Sequence, residues 1–150
     1  MLFAAGWCVV RSSRLDYDHA PTPTPEDITL WDDLEAWLSD NTGDGADPWL
    51  RWTFTRELNN THGVLQFWAS RNHRTSAMWD LLDWLVGHAP HSFGLVHVHD
   101  DEDGLGHTSR GRGQADHSNE FRVWRILNGR LEEFPDTLLS PFVPTIEDPV

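Results

Sequence analysis

Hydrophobic and polar positions along this chain switch between two periods, and the switches mark its elements. Residues 2–10 (LFAAGWCVV) are an apolar run of strand length, which predicts a buried strand, and the proline-punctuated polar stretch 12–23 ends it. A helix is predicted next. Thr24 suits the N-cap, Pro25 the first helical position, and Glu26 and Asp27 the first turn, where carboxylates meet the positive end of the helix dipole. Leu30, Trp31, Leu34, Trp37 and Leu38 recur at helical spacing, so they share a packed face while Asp32, Asp33, Glu35 and Asp40 point to water. The run 41–48 (NTGDGADP) closes the helix as a loop.

Residues 49–57 and 63–70 read as two strands of a hairpin joined through 58–62. Leu50, Trp52 and Phe54 alternate with Arg51, Thr53 and Thr55; in the second strand Leu65 and Phe67 oppose Val64, Gln66 and Trp68. A second amphipathic helix spans 75–88 on Met78, Leu81, Leu82 and Leu85, with Gly87 near its end and Pro90 beyond. A strand over 93–99 and a polar loop over 100–118 follow. Residues 120–127 and 130–134 then flank Asn128-Gly129, the strongest short hairpin signal. The proline-spaced tail 136–150 is expected to run extended over the surface. The order β-α-β-β-α-β-β-β predicts an α+β fold, a mixed or antiparallel sheet of about six strands with two helices on one face. The length of 150 residues suits a single domain spanning 1–150.

Composition narrows the functional classes. Nine tryptophans supply enough apolar area to offset chain entropy, which argues against disorder. No stretch reaches the roughly 20 apolar residues of a membrane-spanning helix. The apolar start lacks a preceding basic region, since Arg11 and Arg14 come after it, so a cytoplasmic location is expected. Cys8, the single cysteine, lies in an apolar run and is expected to be a buried thiol. Twenty-four acidic residues against 11 basic ones, all arginine, give a formal net charge of -13. Such a surface repels phosphate backbones and attracts basic partners. Neither nucleic acid nor membrane is therefore an expected partner.

Candidate chemistry is sparse. His97 and His99, two apart on a strand, point the same way, and Asp100-Asp101-Glu102-Asp103 follows, which is the best metal-ligating pattern in the chain. Phe93 and Leu95 share that face, so the histidines equally suit a half-buried strand running toward water. The acidic run lacks the alternating ligands and distal glutamate of a calcium loop. No nucleophile elbow, catalytic-cysteine signature, P-loop or dinucleotide-binding glycine pattern occurs. The sequence thus predicts no catalytic residue and no cofactor. Trp31, Trp37, Trp79 and Trp84 fall at helical spacings, as core or core-edge residues do, with one or two available as partner anchors.

Three segments carry a resemblance: Asn72-His73-Arg74 ahead of the second helix, 93–103 (FGLVHVHDDED), and 139–148 (LSPFVPTIED). Together with Gly6-Trp7 and the strand Asn119-Glu120-Phe121-Arg122-Val123, in this order and spacing, the chain resembles the immunity protein 7 family of bacterial polymorphic toxin systems. The resemblance implies an α+β immunity protein, encoded beside a toxin gene, that binds and neutralises the toxin domain without being an enzyme. The chain departs from the family pattern in the long connection 104–118, which suits a loop that sets partner identity, and in Phe142, where a small thiol residue is usual.

The resemblance brings no fixed set of contact residues, so the candidate partner surface rests on charge. It consists of Asp100, Asp101, Glu102 and Asp103, with Glu147 and Asp148 if the tail folds back beside them, and His73 and Arg74 before the second helix. An acidic plug would be steered quickly to the basic cleft of a toxin that attacks nucleic acid or nucleotides. The bland alternatives are a solvated turn at 100–103, a tail that pins the fold and a helix cap at 72–74. The competing functional class is a metal-dependent hydrolase built on His97, His99 and the neighbouring carboxylates.

Overall fold

The computed structural model describes residues 1–14, 23–58, 62–72, 75–102 and 116–139. Its elements are β1 (Leu2–Val10), α1 (Pro25–Asn41), β2 (Leu50–Leu58), β3 (His62–Arg71), α2 (Ala77–His88), β4 (Phe93–Asp100), β5 (Phe121–Leu127) and β6 (Arg130–Pro135). The strands form one six-stranded sheet in the order β2-β3-β1-β4-β5-β6, every neighbouring pair antiparallel. The predicted α+β class and element order are therefore observed. β3 and β4 both run antiparallel to β1 and hence parallel to each other, a relation that needs a crossover, and α2 supplies it.

Strand parity decides what each face does. Leu2, Ala4, Cys8 and Val10 of β1 stand beside Leu65, Phe67 and Ala69 of β3 and Val96 and Val98 of β4, and all are buried. Against them pack Leu30, Trp31, Leu34 and Leu38 of α1 and Met78, Leu81, Leu82 and Leu85 of α2, so both helices lie on this one face. Each fully buried leucine contributes about 1.5–3 kcal/mol. Trp31 locks α1 down: its indole N–H donates to the Val10 carbonyl at 2.9 Å, and its ring meets Phe54 edge-on. α2 is anchored on the other half of the sheet, where Trp79 packs edge-on against Trp124 of β5. Trp37 and Trp84 meet between the helices.

The helix start is as the sequence predicts, with one addition. The Thr24 hydroxyl accepts from the Asp27 N–H at 3.1 Å while the Asp27 carboxylate reaches back to the Thr24 N–H, closing a capping box. Asp27 also accepts from the Ser12 N–H and hydroxyl, at 2.8 and 2.7 Å, which ties the helix start to the segment leaving β1. Burial pushes its carboxyl up, but these donors and the nearby Arg11 outweigh that and hold it below the ordinary carboxylate value. The turn at Asn128-Gly129 has φ of 51° and 67°, the left-handed pair a tight hairpin needs. Cys8 is fully buried, as expected, and burial pushes its thiol up to about 12.

Candidate functional site

Asp100 lies one step beyond Val98 on the parity that faces the helices, and it is 5% exposed, its carboxylate accepting from the Glu102 N–H at 3.0 Å. The start of the predicted acidic run therefore caps a turn. Asp101 extends the β1–β4 ladder through its N–H to the Met1 carbonyl and pairs with the terminal ammonium; Glu102 is half-buried. Asp103, His73, Arg74, Glu147 and Asp148 lie outside the described residues.

What surrounds this corner is not visible in the linear run. Leu2 pairs with Arg71 on one side and Asp100 on the other, so β3 and β4 finish and α2 begins at the same end of the sheet. The end of α1 and its following loop arrive there too: the Thr75 hydroxyl bonds Asp47, and Asn41, Asp47, Ser76 and Asp80 line one shallow hollow. Three separate segments thus deliver carboxylates to one end of the molecule: the end of α1 and its loop with Asp40, Asp44 and Asp47, the start of α2 with Asp80, and the end of β4 with Asp101 and Glu102. The α1 C-terminus, with no basic residue in its last turn, adds the negative end of a helix dipole. Over the whole helix layer α1 carries six carboxylates and α2 two, and neither holds an arginine. Arg56 of β2 reaches up to pair with Asp32 and Glu35 at the layer's edge.

The opposite face of the sheet has a different character. Registers place Arg51, Trp68, Ala5, His97, Val123 and Phe134 in one row across all six strands. The adjacent row runs through Ser70, Phe3, His99 and Phe121 to Asp136, whose N–H continues the ladder to the Phe121 carbonyl. Phe3, Trp7 and Trp68 remain 42, 40 and 44% exposed. Sequence reasoning expected β1 to be buried and so missed Phe3 and Trp7, whereas Trp68 stands, as read, on the face opposite Leu65 and Phe67. The unbroken apolar run of β1 suits a strand covered on both faces, whereas the described residues place both helices on one.

The two histidines of the metal hypothesis stand on this face. His97 Nδ1 donates to the Asp136 carboxylate at 2.7 Å, and the His99 ring tilts against Phe121 with centroids 5.0 Å apart. Burial pushes the Asp136 carboxyl up, but His97 and the N–H groups of Leu138 and Leu139 outweigh it and hold it low. Among the described residues no group of three or more histidine, cysteine or acidic side chains converges to hold a metal. The geometry supplies an orienting hydrogen bond for His97 and no ligand set.

The described residues thus form one open antiparallel sheet backed on one face by two acidic helices. Residues 1–148 match the immunity protein 7 family, and the chain belongs to that family. No curated protein and no solved structure gave a significant match.

Proposed function

We propose that this chain neutralises a cognate polymorphic toxin by stoichiometric, non-catalytic binding in the cytoplasm of the producing cell, and that the toxin domain is basic and encoded by the adjacent gene. Family membership supports a toxin partner. The observation that carries the chemistry of the contact is the meeting of carboxylates from three segments at one end of the molecule. Such an end concentrates negative potential, speeds encounter with a basic cleft, and offers acceptors for charge-assisted hydrogen bonds to arginine and lysine. Asp101, Glu102 and Asp103, together with His73 and Arg74 just ahead of α2, belong to this contact surface. Asp100, already committed to its turn, supports it from behind.

Co-expression tests the reading. A cell making the toxin domain of the neighbouring gene survives when this chain is present and dies when it is absent. Reversing Asp40, Asp44 and Asp80 to arginine together should abolish protection while the purified variant keeps its helix and sheet signature. Protection undiminished by that reversal would remove the acidic end from the contact.

A further inference from the structure

We propose that two copies of this chain pack face to face through the sheet surface opposite the helices, on a two-fold axis that runs along the strands between β1 and β4. The toxin assignment plays no part in it. Three observations carry it.

The first is the make-up of the face. Phe3, Trp7 and Trp68 stand on the neighbouring strands β1 and β3, Phe134 stands on the edge strand β6, and all four are exposed. Half-buried Leu95 and Val123 continue the apolar surface across β4 and β5. Large aromatics with arginines among them are what the buried centre of a protein interface is made of, and exposed patches of this size mark interaction surfaces.

The second is charge. The chain has a formal net charge of -13, and the helix layer, with six carboxylates on α1, two on α2 and no arginine on either, repels its own kind. The opposite face has the other balance. Its strand positions hold Arg51, Arg125 and Arg130 against one carboxylate, Glu132, which pairs with Arg125 at 2.7 Å. Asp136, just past β6, is held by His97. Among the described residues this is the broad surface that two copies can bring together without setting carboxylate against carboxylate.

The third is fit. Six strands about 4.8 Å apart and four rows of side chains about 7 Å apart cover roughly 800 Å² per copy. That is the area, about 800 Å² per partner, that a stable interface of standard size buries. Stacked sheets lie about 10 Å apart with their strands nearly aligned. A two-fold axis across the strands would set β2 on β2 and bring the two Arg51 guanidiniums together. An axis along the strands sets β2 of one copy on β6 of the other, because β1 and β4 are the central pair of the sheet. The row through all six strands then meets itself in reverse: Arg51 over Phe134 and beside Glu132, Trp68 over the smaller Val123, and His97 over Ala5. Bulky side chains oppose small ones, and the arginine finds a ring and a carboxylate.

The test uses the full chain. Sedimentation equilibrium over a concentration series should show the mass doubling from 17.2 kDa, and association should tighten as salt screens the repulsion between the two acidic chains. Trp7→Glu/Trp68→Glu should stay monomeric with an unchanged circular dichroism spectrum. Arg51→Glu, at an exposed side chain with no ion pair among the described residues, should weaken association at least about tenfold. Ala5→Cys, beside the axis, should be cross-linked into a dimer by a short bis-maleimide, and Ser39→Cys on α1 should not. If the tryptophan variant does not fold, the Arg51 and Ala5 variants decide. A chain that is monomeric at every concentration overturns the proposal, also where added toxin domain shields these tryptophans, since the face then belongs to the toxin. A dimer left intact in either Glu variant, one that cross-links through Ser39 in place of Ala5, or one that weakens with salt overturns it as well.

Discussion

The same small substitution, glycine to alanine, should have opposite effects at two positions, and the structure sets both signs. A methyl at Gly94 of β4 would stand 2.8 Å from the Cys8 Cα and closer still to the Trp7 carbonyl oxygen, both main-chain atoms of the central strand β1. Neither can move as a side chain tip does, so β4 must separate from β1 and strain the ladder between them. Overpacking of this kind costs about 1–3 kcal/mol. Each ladder bond lost adds about 1 kcal/mol, and the smaller entropy of the unfolded alanine chain returns roughly 0.4–1 kcal/mol. The net expectation for Gly94→Ala is a loss of about 2–3 kcal/mol. At Gly87, in the last turn of α2, the same methyl meets nothing within 4 Å. Only the backbone effect remains there, and Gly87→Ala should gain about 0.5–1 kcal/mol. Urea unfolding followed by tryptophan emission measures both, provided the m-value is unchanged. A Gly94→Ala protein as stable as the parent would refute the close packing of β4 on β1, and a Gly87→Ala protein destabilised like its counterpart would refute the open space at the end of α2.

Three further outcomes follow from contacts already described. Trp31→Phe leaves the Val10 carbonyl without its 2.9 Å donor, so urea unfolding should show a loss of about 1–3 kcal/mol; an unchanged midpoint would mean α1 is not locked through that bond. Asp27 and Asp136 are both held below the ordinary carboxylate value, so the stability they lend is present above the unfolded pKa of about 3.9 and is lost as pH falls through their lower folded values. The urea midpoint of the parent should therefore drop on acidification below about pH 4, with a shallower drop in Asp27→Asn and in Asp136→Asn; parallel curves would contradict the assignment. Cys8, buried and with its thiol pushed up to about 12, should react with an aromatic disulfide reagent at pH 8 only as fast as the protein unfolds, and immediate labelling of the native protein would show the thiol to be accessible.

The elements were legible because each carried its own period or terminus: Thr24-Pro25 opened α1, the leucines of 78–85 set the buried face of α2, and Asn128-Gly129 fixed the last hairpin. Sheet order was not legible. That β1 sits between β3 and β4 is a long-range pairing, and nothing local to residues 2–10 distinguishes a central strand covered on two faces from one covered on one. For the same reason Phe3 and Trp7 were read as core. The acidic run misled in a different way, by being read as four equivalent charges. Strand parity, with Val96 and Val98 inward, already turned Asp100 inward too, and the exposed charge begins only at Asp101. The carboxylates that join it from the α1 end and from Asp80 come together only in three dimensions, which is why the acidic end could not be read from the sequence.

The proposed toxin neutralisation by binding is tested most directly by calorimetric titration of the purified cognate toxin domain with this chain, its catalytic activity followed on the same mixtures. The account predicts a one-to-one end point at which activity vanishes, with an apparent affinity that weakens as salt rises because acidic and basic surfaces are in contact. Full toxin activity in the presence of excess chain, or inhibition at catalytic amounts of it, would contradict the account.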